Sequence, residues 1–237
     1  MLKERCLERY ADVLLWGLRI ARRERFRKGE FSPGAALIAI VKRSGKGLGV
    51  LVADAGLLLF LLIVTGATVS LPAAEPLLPA FGGGAVEVRV YTDYFCGPCR
   101  AEEQEVMAAI EELVAKNRIR VIFIDTPLYP ETVLYAGYFL AAVNAKREFG
   151  QATAARVVLF EAAGLQIREK GELETFLKKK GVEIRPFDTV PVFKIFSNYI
   201  KEDRINSTPT VVILGPQGKQ SLGNKEQILK ALSGLRK

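Results

Sequence analysis

The chain has 237 residues, a formal charge of +8, three cysteines and no histidine, which excludes Ser-His and Cys-His nucleophile pairs, a His-Glu-x-x-His zinc helix and a histidine-ligated haem within it. The charge is unevenly placed: residues 1–47 hold 12 Lys and Arg against 5 Asp and Glu, whereas residues 75–237 hold 22 against 20. The main domain is therefore close to neutral, no nucleic-acid partner is expected, and with so few cysteines its stability must come from an ordinary apolar core.

Residues 1–47 read as a basic cytoplasmic segment. Leu7, Tyr10, Leu14, Leu18 and Ala21 recur at helical spacing, with Arg19, Arg22, Arg23, Arg25 and Arg27 following, a pattern that suits an amphipathic helix on an anionic membrane surface. A coding start at Val41 is the bland alternative. Residues 48–71 form an apolar run of 24 with one charge, Asp54. At about 1.5 Å per residue the run spans roughly 36 Å, enough to cross a hydrocarbon core of about 30 Å. It reads as a single transmembrane helix, with a buried core helix as the bland alternative. Lys42, Arg43 and Lys46 precede it and the next cation is Arg89, so the amino terminus is expected in the cytoplasm and everything after Leu71 outside it. A cleaved signal peptide competes with this reading, but the run is long and far from Met1 for one.

Residues 72–84 have the Pro and Gly density of a linker, and the domain is expected over 85–237. Val86, Val88 and Val90 alternate with Glu87 and Arg89 and predict a strand. Cys99 to Lys116 predicts a helix, and Ile119 to Asp125 a second strand, completing a βαβ unit. Helices are predicted over about 131–147, 151–163, 172–180 and 188–203, the bulk of a helical insertion at about 127–205. Thr210 to Leu214 then predicts a strand, Lys219 to Leu222 an edge strand and Lys225 to Leu235 a closing helix.

Cys96-Gly97-Pro98-Cys99 falls between the first strand and the first helix. Unpaired N–H groups and the positive end of the dipole at a helix amino terminus stabilise a thiolate. Cys96 is thus the expected exposed nucleophile, and Cys99, one turn deeper, the thiol that resolves its mixed disulfide. Pro98 in the first turn forfeits only an N–H without an intrahelical partner. Three bland readings compete. Half a zinc site would need two more ligands, which this chain lacks on that side of the membrane, so no metal is expected. An inert structural disulfide would close too short a loop to constrain the unfolded chain much. Two buried reduced cysteines would not explain the strand-to-helix placement. Downstream, Thr208-Pro209 precedes a predicted strand, where proline is often mere punctuation. With the dithiol unit upstream it predicts a cis bond, leaving the backbone of Thr208 free to hold substrate across Cys96.

With Phe95-Cys96-Gly97-Pro98-Cys99 and Thr208-Pro209, residues 85–237 resemble the thioredoxin superfamily, and the long helical insertion resembles its DsbA branch. The resemblance implies an α/β thioredoxin-like fold with a helical insertion, Cys96 as attacking and Cys99 as resolving thiol, supported by Gly97 and Pro98, and Thr208 and Pro209 as the substrate loop. It implies no cofactor beyond the redox-active Cys96–Cys99 disulfide itself. Two positions depart from the family. Phe95 replaces the usual tryptophan, and Val90 stands where thioredoxin and DsbA carry a buried acid that relays protons. Asp93 and Glu102 lie nearer in sequence and read as ordinary surface charges. The expected activity is thiol–disulfide exchange on the dithiols and disulfides of exported proteins, by oxidation or isomerisation, with a membrane redox partner. Reduction of exported disulfides or electron relay to another protein is the alternative, and a membrane-tethered, non-enzymatic peptide-binding module is the alternative of another class.

Overall fold

Val88 and Val90, with Val121, Phe123, Val211 and Ile213 of neighbouring strands, join one apolar cluster, while Tyr91, Ile122, Ile124 and Val212 join another. That period of two is what a sheet buried on both faces requires. The computed structural model describes residues 77–236. The predicted segment 1–47, the predicted membrane helix 48–71 and residues 72–76 of the predicted linker lie outside the described residues. Among the described residues no helix is long and apolar enough to cross a membrane.

The sheet has five strands in the order β1-β3-β2-β4-β5: β1 (Ala80–Phe81), β2 (Val86–Thr92), β3 (Ile119–Asp125), β4 (Thr210–Gly215) and β5 (Gly218–Leu222). β2 and β3 are parallel, and the other pairs are antiparallel. Helix α1 (Gly97–Ala115) connects β2 to β3. It buries Val106, Met107, Ile110 and Leu113, each worth roughly 1.5–3 kcal/mol when fully removed from water. Asn117, at φ +51°, ends it: the Asn117 N–H bonds to Val114 O at 2.9 Å and the Arg118 N–H to Leu113 O at 2.9 Å, a Schellman closure.

Four helices fill the insertion: α2 (Thr132–Ala145), α3 (Phe149–Gly164), α4 (Lys170–Lys179) and α5 (Val190–Glu202). α3 and α4 pack Leu159, Phe160, Leu173 and Leu177 into the cluster that contains the cysteines, and α5 covers the other face with Val192, Phe193, Phe196 and Ile200. Pro191 lies in the first turn of α5, where proline costs no hydrogen bond. Helix α6 (Lys225–Gly234) closes the chain over the first cluster with Ile228 and Leu232.

The stretch read as a linker is part of the fold at its end. Ala80 and Phe81 pair with Ile122 and Val121 of β3, and the Phe123 N–H bonds to Pro79 O at 3.1 Å. The glycines that follow serve close approach rather than flexibility. A Cβ on Gly82, whose φ is +80°, would lie 2.3 Å from Ile119 O, and one on Gly84 would lie 2.1 Å from the Arg118 carbonyl carbon. Asn117 Oδ1 accepts the Gly83 N–H at 2.9 Å, so the same residue ends α1 and anchors the turn into β2.

Polar residues of β2 are also buried. Arg89 bonds Glu87 at 2.7 Å and Asp203 at 3.1 Å and lies over the Tyr199 ring at 4.0 Å. Asp203, just past α5, also takes a hydrogen bond from Tyr91 and an ion pair from Lys219 at 2.5 Å. The network fastens the end of the insertion to the sheet.

Candidate active site

Cys96 is the N-cap of α1, with extended backbone at φ −75° and ψ 115°, and its sulfur accepts the Cys99 N–H at 3.3 Å. Pro98 occupies the first helical turn. The two sulfurs are 2.7 Å apart as free thiols, so the Cys99 S–H points at Cys96. As a thiol, Cys96 in turn reaches the Thr208 carbonyl oxygen at 3.3 Å. The Thr208–Pro209 peptide bond is cis. Dithiol and Thr208-Pro209 loop, far apart in sequence, therefore meet across one sulfur.

These contacts divide the two thiols in acidity. The hydrogen bond from Cys99, against the opposing effect of burial and with help from the Cys99 N–H, lowers the Cys96 pKa to about 6. Burial, then the hydrogen bond given to Cys96, raises that of Cys99 far above the ordinary range. The arrangement therefore favours the thiolate at Cys96 and the protonated thiol at Cys99. The expectation of an exposed nucleophile needs correction: Cys96 is only 6% exposed, because its sulfur is tucked between Cys99 and the Thr208 carbonyl. The way in lies over the exposed Gly97 and Pro98, where a Cβ on Gly97 would meet nothing within 4 Å.

Phe95 forms the side wall. Its ring meets Tyr135 edge-on at 5.0 Å and Tyr129 at 6.2 Å, and the Arg168 guanidinium lies 5.4 Å above it. Tyr129 is 44% exposed, so an aromatic surface flanks the dithiol on the side of the insertion.

Val90 is buried in the same cluster as the cysteines, and acids reach this region from other positions. Asp93 is fully buried, which corrects its reading as a surface charge. Its carboxylate accepts the Phe95 N–H at 2.8 Å, Leu128 N–H at 2.8 Å and Tyr129 N–H at 3.0 Å. Glu102 is half-buried, and burial raises its pKa despite nearby Lys225. Glu103, one turn beyond Cys99, bonds the fully buried Arg156 at 2.7 and 3.0 Å. Arg156 also bonds Thr92 Oγ1 at 3.0 Å and faces Asp125 at 3.6 Å. Burial, only partly offset by Arg156, raises the Asp125 pKa to about 7. Sequence reasoning missed Arg156, Glu103 and Asp125. A signal existed: Arg156 falls within the buried stripe Ala152, Ala155, Leu159, Phe160 and Ala163 of α3, where a lone cation implies a buried partner. Among the described residues no three histidine, cysteine or acidic side chains converge to hold a metal.

Solved structures share this fold at low sequence identity. Alpha-DsbA1 of Wolbachia pipientis aligns at a TM-score of 0.52 and 13% identity, covering 70% of this chain and 93% of its own. A conserved protein of unknown function from Enterococcus faecalis aligns at 0.51 and 16%, covering 70% and 92%. A periplasmic thioredoxin-like protein of Salmonella enterica serovar Typhimurium aligns at 0.50 and 18%, covering 69% and 93%. Comparison with curated protein sequences finds no match. A thioredoxin family model matches residues 84–232, from the turn before β2 into α6 and across both the dithiol and the Thr208-Pro209 loop, and on that extent the chain belongs to the thioredoxin family.

Proposed function

We propose that this chain is a thiol–disulfide oxidoreductase in which Cys96 attacks and Cys99 resolves. The observation that carries the reading is the unequal pair: two free sulfurs 2.7 Å apart, with the Cys96 pKa lowered to about 6 and that of Cys99 raised. In the reducing direction the Cys96 thiolate attacks one sulfur of a substrate disulfide, forming a mixed disulfide and expelling the other sulfur as a thiolate. Cys99 then loses its proton and attacks the Cys96 sulfur, closing the Cys96–Cys99 disulfide and releasing the second substrate thiolate. Two electrons pass to the substrate. The reverse sequence oxidises a substrate dithiol.

The acidic side of the pair sets a physical constraint. A thiolate that is stable in the reduced form makes the disulfide a better oxidant, with thiol pKa values of about 7 in thioredoxin and about 3.5 in DsbA. We favour oxidation or isomerisation of exported proteins, with the chain held to the membrane by residues 48–71, its amino terminus cytoplasmic, its dithiol domain outside and a membrane protein as redox partner. The apolar run and its upstream cations support this placement. A second reading, reduction of exported disulfides or electron relay, is supported by the Cys96 value of about 6, which is nearer to thioredoxin's. Thr208 and Pro209 are the proposed substrate-holding loop, since the Thr208 carbonyl already touches the Cys96 sulfur.

Equilibration with glutathione mixtures tests the reading. A midpoint near that of DsbA supports the oxidase and one near that of thioredoxin the reductase; a pair that does not exchange leaves the non-enzymatic peptide-binding module. Cys99→Ser should accumulate a mixed disulfide with substrate that Cys96→Ala cannot form. Undiminished exchange activity in Cys96→Ala would remove Cys96 from its role.

A further inference from the structure

The surroundings of Asp93 are one-sided. Oδ1 accepts the Phe95 N–H at 2.8 Å, an Asx turn, and Oδ2 accepts the N–H groups of Leu128 at 2.8 Å and Tyr129 at 3.0 Å. All three are donors, so the carboxylate is the form that fits, because a protonated oxygen would set O–H against N–H. Burial pushes the Asp93 pKa up and these backbone N–H groups oppose it. None of the three partners is a cation. The titratable groups near it are Cys96, whose N–H bonds Asp93 O at 3.1 Å, Cys99, whose thiol meets the Asp93 backbone, and Asp125 on β3, itself paired with Arg156.

Two effects follow from this placement. The carboxylate ties the dithiol loop to the loop between β3 and α2, whose Tyr129 covers Phe95. It also buries a negative charge in the turn that leads into Cys96, whose sulfur must itself become an anion. The two charges repel, and Asp93 works against the Cys99 hydrogen bond at Cys96.

We propose that Asp93 is a positioning residue of the dithiol: it pins the Cys96 loop against the start of the helical insertion and, as a buried anion, destabilises the Cys96 thiolate and so holds the pair toward the reducing end of its range. The inference rests on Cys96 being the attacking thiol. It also accounts for a chain that lacks an acid at Val90 yet keeps a carboxylate at the active site. Here the acid braces the loop from the turn before α1 and sets its charge next to the first cysteine.

The test is a pH titration of thiolate absorbance in reduced protein, paired with the glutathione equilibrium. Wild type should show one thiol ionising below the ordinary thiol value; absence of any lowered thiol sinks the underlying assignment of Cys96 and is distinguishable from failure of the inference. Asp93→Asn should lower that midpoint by about one pH unit and make the disulfide about tenfold more oxidising toward glutathione. A purely structural brace would lower stability without moving either quantity. Asn must turn an NH2 toward an N–H donor, so Asp93→Ser carries the same test should Asp93→Asn not fold, its hydroxyl retaining the turn to Phe95 without the charge. A midpoint unchanged or raised in the folded variant overturns the proposal.

Discussion

Each face of the sheet carries a charged cluster, and the two are balanced differently. Behind the dithiol, on the α5 side, Arg89, Lys219 and Arg120 meet Asp203, Glu87 and Glu202, with the Tyr91 hydroxyl added. On the dithiol side one guanidinium, that of Arg156, serves both Glu103 and Asp125. The acids respond in opposite directions. Burial would raise Asp203, but hydrogen bonds from Lys219, Tyr91 and Arg89 hold it below the ordinary carboxylate value. Burial raises Asp125, and Arg156 does not bring it back below about 7. A cluster rich in cations locks an anion in place and serves stability. A cluster short of cations leaves its acid raised toward neutrality, on the face of the sheet that carries the dithiol.

The sharpest way to break this contrast is to remove each arginine. Arg156→Met should cost about 3–5 kcal/mol, because two buried carboxylates lose their shared cation. Arg89→Met should cost less, about 1–3 kcal/mol, since Lys219 at 2.5 Å and the Tyr91 hydroxyl still serve Asp203. Urea unfolding midpoints measure both. Equal losses would mean that the back cluster has no reserve of donors, and the comparison would fail.

The next effect is on pH dependence, read on oxidised protein so that neither thiol titrates. Asp125 moves from 3.8 to about 7 on folding, so between those values the folded state holds more protons than the unfolded one. Stability should therefore fall as pH rises through that window, by at most about 1.4 kcal/mol per pH unit, and level off above it. Asp125→Asn, which resembles the protonated acid, should flatten that part of the profile. A slope unchanged in the variant would show that Asp125 is ionised throughout.

How these features could be read from sequence depended on which residue carried them. β3 was legible to the residue as Ile119–Asp125, because a run of β-branched and aromatic residues ends at an acid. The dithiol was legible because Cys-Gly-Pro-Cys needs only a strand before it and a helix after it to acquire meaning. β1 was not, since two residues give no period and Gly82-Gly83-Gly84 looks the same whether it serves flexibility or a 2.3 Å approach to Ile119 O. Asp93 was misread for a related reason. Its carboxylate is satisfied mostly by backbone N–H groups, which leave no partner residue type to find in the sequence. Arg156 and Glu103 are 53 residues apart, and only the packing of α3 on α1 makes them a pair.

The smallest expected effect is at Lys219. Its side chain is 39% exposed, so Lys219→Met should cost about 1 kcal/mol or less at neutral pH. The acid limb is more informative. Asp203 has a folded pKa below its unfolded one, so its contribution is present above the unfolded value and is lost as pH falls through the folded value. Losing one of its donors raises the folded value, and acid unfolding of Lys219→Met should begin at a higher pH than in wild type. An acid limb that stays in place would mean that Arg89 and Tyr91 alone hold Asp203 ionised. The back cluster would then carry more donors than its acid needs, and the imbalance with the dithiol face would be larger than the ion pairs alone indicate.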